Sequence, residues 1–124
     1  VVYIGNWVVG VRYPRYYGYE SIELPETTVG ICDYAFYNTL GYNNIVLNEG
    51  LRYIGKSAFY NATGLKSINI PSTVTSIGDY AFYNCALLES VTFSEGLQSI
   101  GRGVLSVRFA QYGESPAVPA HDRG

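Results

Sequence analysis

Residues able to do covalent or proton-transfer chemistry are few in this chain of 124 residues, and they are badly placed for it. His121 is the only histidine, and it lies in a Pro/Ala/Gly-rich stretch without periodicity, residues 113–124. A nucleophile needs its base within hydrogen-bond reach on a folded frame, and that stretch reads as a disordered tail, linker or fragment end. The two cysteines, Cys32 and Cys85, belong to no His/Cys/carboxylate cluster with metal-ligand spacing. Gly55, Gly78 and Gly101 each follow an isoleucine in isolation and read as turn residues, not as a phosphate-cradling loop. The chain is therefore expected to be no enzyme and to hold no cofactor or metal.

Recognition chemistry is better supplied. One set of residues is small and mostly polar and recurs in pairs: Ser21 and Glu23, Asn44 and Val46, Ser67 and Asn69, Ser90 and Thr92. On an exposed face they would suit hydrogen bonding to a protein or a glycan. A second set is aromatic: Tyr34, Tyr37, Tyr60, Tyr80 and Tyr83, drawn from 13 tyrosines in all. Tyrosine offers a large contact area at low entropy cost, and neighbouring rings can equally stack on one another.

The elements that must position these sets are repeats. Ala-Phe-Tyr-Asn occurs at residues 35–38, 58–61 and 81–84, 23 residues apart each time. A fixed period in this range means stacked units that share one core. The columns extend beyond the phrase: Ile22/Ile45/Ile68/Val91, Leu24/Leu47/Ile70/Phe93, Ile31/Ile54/Ile77/Ile100, and Phe36/Phe59/Phe82/Leu105. Units fall at 19–41, 42–64 and 65–87, with a degenerate fourth at 88–110. Residues 1–18 read as a divergent N-terminal capping coil, with Trp7 covering the end of the core.

Within a unit, Leu65, Ile68 and Ile70 alternate with polar residues, the period-two signal of a short strand with one buried face. Pro71 stops it, Ile77-Gly78 turns the chain, and residues 79–84 read as one or two helical turns with Asp79 near their start. Asn38, Asn61 and Asn84 read as a ladder capping backbone groups. The Phe column is the expected core filler, at about 1.5–3 kcal/mol per buried ring. If coils stack at about 4.8 Å, Cys32 and Cys85 lie about 10 Å apart, beyond the roughly 7 Å Cα separation a disulfide tolerates, so both thiols are expected to be free.

Residues 65–85 carry Leu65, Ile68, Ile70, Pro71, Val74, Ile77, Gly78, Ala81, Phe82 and Cys85 at the spacing L-x-x-I-x-I-P-x-x-V-x-x-I-G-x-x-A-F-x-x-C. This pattern resembles the BspA-like, or Treponema-type, leucine-rich repeats of bacterial surface antigens, over about residues 19–105. Departures are Thr39 and Ala62 in the Cys85 column, Asn48 and Ser94 in the Pro71 column, and Thr28 in the Val74 column. The resemblance implies an α/β-type repeat solenoid: a right-handed stack of 23-residue coils with short parallel strands on one side and short helical turns or loops on the other. It also implies an extracellular or cell-surface setting and adhesion to a protein or glycan partner, with no catalytic residues to carry over.

Composition narrows the partners. The chain is 48% hydrophobic and 15% charged, too apolar for a disordered segment. A net charge of −2 without a basic run offers nothing to nucleic acid. No run approaches the ~20 apolar residues of a membrane span, and no signal peptide is legible. The chain has no Met and begins in mid-pattern at Val1, so it reads as a piece of a longer polypeptide. The strand edge near residues 90–93 has little to cover it in the sequence and would invite edge-to-edge self-association.

Overall fold

The computed structural model describes residues 1–11, 20–93 and 95–105. Tyr13, Pro14 and Arg15 of the expected capping coil, Ser94, and the stretch 113–124 with His121 lie outside the described residues.

Each coil contributes two strands. The first follows from the alternation read above: β3 (Glu20–Glu23), β5 (Tyr42–Val46), β7 (Ser67–Asn69) and β9 (Ser90–Thr92) form a four-stranded parallel sheet. The second is a two-residue element: β4 (Gly30–Ile31), β6 (Tyr53–Ile54), β8 (Ser76–Ile77) and β10 (Ser99–Ile100). These pair in parallel in a second sheet, which begins with β1 (Val2–Ile4) and β2 (Trp7–Gly10). The expectation of strands on one side alone is thus corrected. The residues before the Ile-Gly step are ladder positions, and their bonds run to the neighbouring coil.

The helical turns are also corrected: the described residues contain no helix, and 32–39 and its equivalents are runs of tight turns. The cause lies in the backbone. Tyr34, Asn38, Ser57, Asn61, Tyr80 and Asn84 all have φ between 52° and 62°, a left-handed conformation that ends a right-handed helix. N–H groups then alternate in partner. Ala35, Tyr37 and Thr39 donate to carbonyls three residues back, whereas Tyr34, Phe36 and Asn38 donate to Lys56, Ala58 and Tyr60 of the next coil at 2.7–2.9 Å. The arc joins coil to coil, as the strands do, and leaves no N–H free for a helical ladder.

The core runs along the stack. Phe36, Phe59 and Phe82 are fully buried with centroids 4.9 and 5.0 Å apart and planes within 8° of parallel. Ile31, Ile54, Ile77 and Ile100 form a buried row in register beside them. The glycine column explains the closeness of the coils. A Cβ on Gly55 would stand 2.6 Å from Asp33 N, and one on Gly78 2.6 Å from Lys56 N.

At the N-terminal end β1 and β2 form an antiparallel hairpin through Gly5 (φ 57°), and β2 pairs in parallel with β4. Val8 continues the buried isoleucine row. Trp7 therefore points the other way. It lies on the outward side of the second sheet and does not cover the end of the core.

Candidate functional site

The four-stranded sheet places all eight of its expected binding-face residues outward and exposed. They form two straight rows, Ser21–Asn44–Ser67–Ser90 and Glu23–Val46–Asn69–Thr92, with residues directly opposite one another in adjacent strands. Parallel pairing without side-chain inversion makes these rows, because successive residues of a strand face opposite sides. The face carries little charge and little internal bonding; Asn44 Nδ2 donates to Ser21 Oγ at 3.3 Å.

The tyrosine set assembles on the turn arc. Tyr37, Tyr60 and Tyr83 stack with centroids 5.4 and 5.5 Å apart. Tyr34 packs edge-on against Tyr37, and Tyr80 edge-on against Tyr83. Stacking and exposure coexist here: Tyr34, Tyr37 and Tyr80 remain 50%, 44% and 36% exposed. Beside them Asn61 Nδ2 donates to Asn38 Oδ1 at 2.8 Å, and Asn84 Nδ2 to Asn61 Oδ1 at 2.9 Å. The asparagines form a ladder with each other, where backbone capping was expected.

A third outward surface escaped the sequence reading. Trp7, Gly30, Tyr53, Ser76 and Ser99 stand in one register on the second sheet. The indole occupies the space a side chain on Gly30 would need and stacks on Tyr53 with centroids 5.8 Å apart and planes 1° from parallel. A shallow groove of about 680 Å³ runs alongside, reaching Cys32, Asp33, Lys56 and Ser76. The turn arc shows the same spacing device. The ring of Tyr80 fills the space over Gly103, and the equivalent Ser57, one coil after Tyr34, is buried. Carried back to position 7, the 23-residue ruler picks out Trp7, Gly30 and Tyr53 as a column in which bulky and small residues alternate.

Charge alternates in one more column: Asp33, Lys56, Asp79, Arg102. Asp33 Oδ1 accepts from Lys56 N–H at 2.8 Å and Asp79 Oδ1 from Arg102 N–H at 2.9 Å. Asp79 thus caps the neighbouring coil, which replaces its expected role at a helix start. Both thiols are free. Burial pushes the Cys85 thiol up to about 12, and its S–H donates to Phe59 O at 3.1 Å, so it behaves as a small core residue. Cys32 is half-buried and stands where the other coils have glycine. Among the described residues no helix is long and apolar enough to cross a membrane, and no three His, Cys, Asp or Glu side chains gather to hold a metal ion.

Residues 15–108 match the model of the BspA type leucine rich repeat region, in 6 copies. No match reaches significance among curated protein sequences. Two solved structures are similar. The T. pallidum leucine rich repeat protein TpLRR shares 30% identity at a TM-score of 0.65, over 68% of this chain and 42% of that one. The pneumococcal vaccine antigen PcpA shares 27% identity at a TM-score of 0.56, over 70% of this chain and 27% of that one. The chain thus spans less than half the length of either.

Proposed function

Because the chain belongs to the BspA-type leucine-rich repeat family, we propose that it is a non-catalytic recognition segment of a surface or secreted protein, holding a protein partner across its outward rows. A glycan is the other ligand class that small polar rows would suit. The observation that carries this reading is the strand face: eight exposed residues, in register along four strands, with only one hydrogen bond joining them side chain to side chain. Donors and acceptors left unspent on a rigid frame are available to a partner without ordering cost. The tyrosine arc supplies the alternative contact surface, since exposed tyrosines dominate many interfaces. Adhesion follows as the role of such a segment, and the vaccine-antigen description of PcpA is consistent with an exposed setting.

A purely structural spacer is the second reading. It is favoured by the tyrosine and asparagine ladders, whose members are already partnered from coil to coil. The two readings separate on binding to a panel of purified extracellular proteins and glycans by interferometry. A recognition segment gives saturable binding that disappears in Ser67→Arg/Asn69→Arg, or in Tyr60→Ser/Tyr83→Ser, with each variant still folded by circular dichroism. A spacer finds no saturable partner and tolerates both pairs.

A further inference from the structure

We propose that the groove beside Trp7 and Tyr53 binds a neutral sugar ring, one pyranose unit of a glycan chain. The site lies on the second sheet, away from the strand face and the tyrosine arc, and does not rest on the recognition reading above. Its first wall is aromatic and pre-organised. Trp7 is fixed by the pairing of β2 with β4, by the empty space over Gly30 and by the parallel stack on Tyr53, yet the two rings stay 37% and 42% exposed. The row then drops to Ser76 and Ser99, so the aromatic wall ends at a step one coil wide. The floor is low because the turn column there holds Gly55 and Gly78, with Cys32 the one side chain in it.

Asp33 and Lys56 line the same groove. The Asp33 carboxylate is held in place through Oδ1 by the Lys56 N–H, while its second oxygen and the Lys56 ammonium make no hydrogen bond or ion pair among the described residues. This selects the ligand by charge. One acid and one base sum to zero, so a phosphate or sulfate would meet the carboxylate, and a quaternary cation drawn to the rings would meet the ammonium. A pyranose satisfies both the aromatic and the charged lining. Its C–H face packs on an aromatic ring, and its hydroxyls donate to the carboxylate and accept from the ammonium, as charge-assisted hydrogen bonds. An open, shallow groove admits a sugar within a longer chain.

Trp7 is the only tryptophan, so its emission reports on this groove alone. The chain is titrated with maltose, cellobiose, lactose and N,N′-diacetylchitobiose. At least one should give a saturable change at roughly millimolar concentration, as expected for a small open site. Tyr53→Ala and Lys56→Ala should each weaken it by about tenfold or more, Tyr53→Phe should retain it, and Tyr60→Ser on the turn arc should leave it untouched. If Tyr53→Ala melts early, Lys56→Ala carries the test, since that side chain is exposed and outside the core. The proposal is overturned if no disaccharide saturates, if binding survives both alanine variants, or if choline or sulfate binds in place of the sugars. Those failures would leave the strand-face and tyrosine variants, and the recognition reading they test, unaffected.

Discussion

Replacing Gly78 with alanine would put a methyl group against atoms that cannot step aside. The added Cβ stands 2.6 Å from Lys56 N and 2.8 Å from Gly55 C and Lys56 Cα, all of them backbone. Ordinary contact begins at 3.4 Å, so the coils must part locally by about 0.8 Å. The bonds that join the same two coils beside the contact, Gly78 N–H to Ile54 O and Ser57 N–H to Asp79 O, are both 2.8 Å long. Opening them by that amount takes them to about 3.6 Å, past hydrogen-bond range. Two lost bonds cost about 0.5–1.5 kcal/mol each, and the overpacking adds about 1–3 kcal/mol. Against this, alanine restricts the unfolded chain and returns about 0.4–1 kcal/mol. The net expectation is a loss of about 1–5.5 kcal/mol, a large share of the roughly 5–15 kcal/mol that holds a domain together. Urea denaturation followed by circular dichroism measures it. Gly10→Ala is the control, because a Cβ there meets nothing within 4 Å and should leave the midpoint nearly unmoved. A Gly78→Ala midpoint equally unmoved would refute the stacking register from which the loss is reckoned.

Three further outcomes follow from the core. Phe59→Ala removes the middle ring of the buried stack and should cost about 3–5 kcal/mol; a urea melt showing under about 1 kcal/mol would contradict the packing. Thr39 Oγ1 is buried without a hydrogen-bond partner, so Thr39→Val should raise stability by about 1 kcal/mol, and a lowered melting temperature would count against that view of the site. Because the folded Cys85 thiol titrates at about 12 against an ordinary 9.0, the folded chain keeps a proton the unfolded chain loses. Its contribution is full below pH 9 and falls as pH rises towards 12, by up to about 1.4 kcal/mol per pH unit. Cys85→Ala, matching Ala62 in the same column, should flatten that alkaline limb, and iodoacetamide at pH 8 should label Cys32 well before Cys85.

The parts legible in the sequence were those carried by side-chain period. The phenylalanine column, the isoleucine rows and the outward pairs of the first strand needed only a 23-residue ruler and the alternation around Ile68. The second strand was not legible, because Ser76-Ile77 is too short to alternate and exists through bonds to another coil. The turn arc misled for a related reason. Asp79-Tyr80-Ala81-Phe82 suits a helical turn by residue type, but Tyr80 takes φ 56° and Phe82 donates to Val104 of the next coil, and neither choice is written in a local propensity. Trp7 reads as an end cap when Tyr3-Ile4-Gly5 is set against Tyr53-Ile54-Gly55; in the fold the 23-residue period runs from Trp7 to Gly30, which makes room for the indole.

That spacing of large against small has a consequence for how such an array can change length. The core repeats every coil, so by its lights one unit is interchangeable with the next. Three outward columns alternate with a period of two coils: Trp7, Gly30, Tyr53, Ser76 before Ser99 breaks the run, Tyr34, Ser57, Tyr80, Gly103, and Asp33, Lys56, Asp79, Arg102. Excising residues 42–64 would keep Phe36 on Phe82 yet set Tyr34 against Tyr80 and Asp33 against Asp79. Excising residues 42–87 would instead set Tyr34 against Gly103 and Asp33 against Arg102, keeping the order of the last two columns. The array therefore has a parity, and gains or losses of an even number of coils are the ones its surface accepts without further substitution.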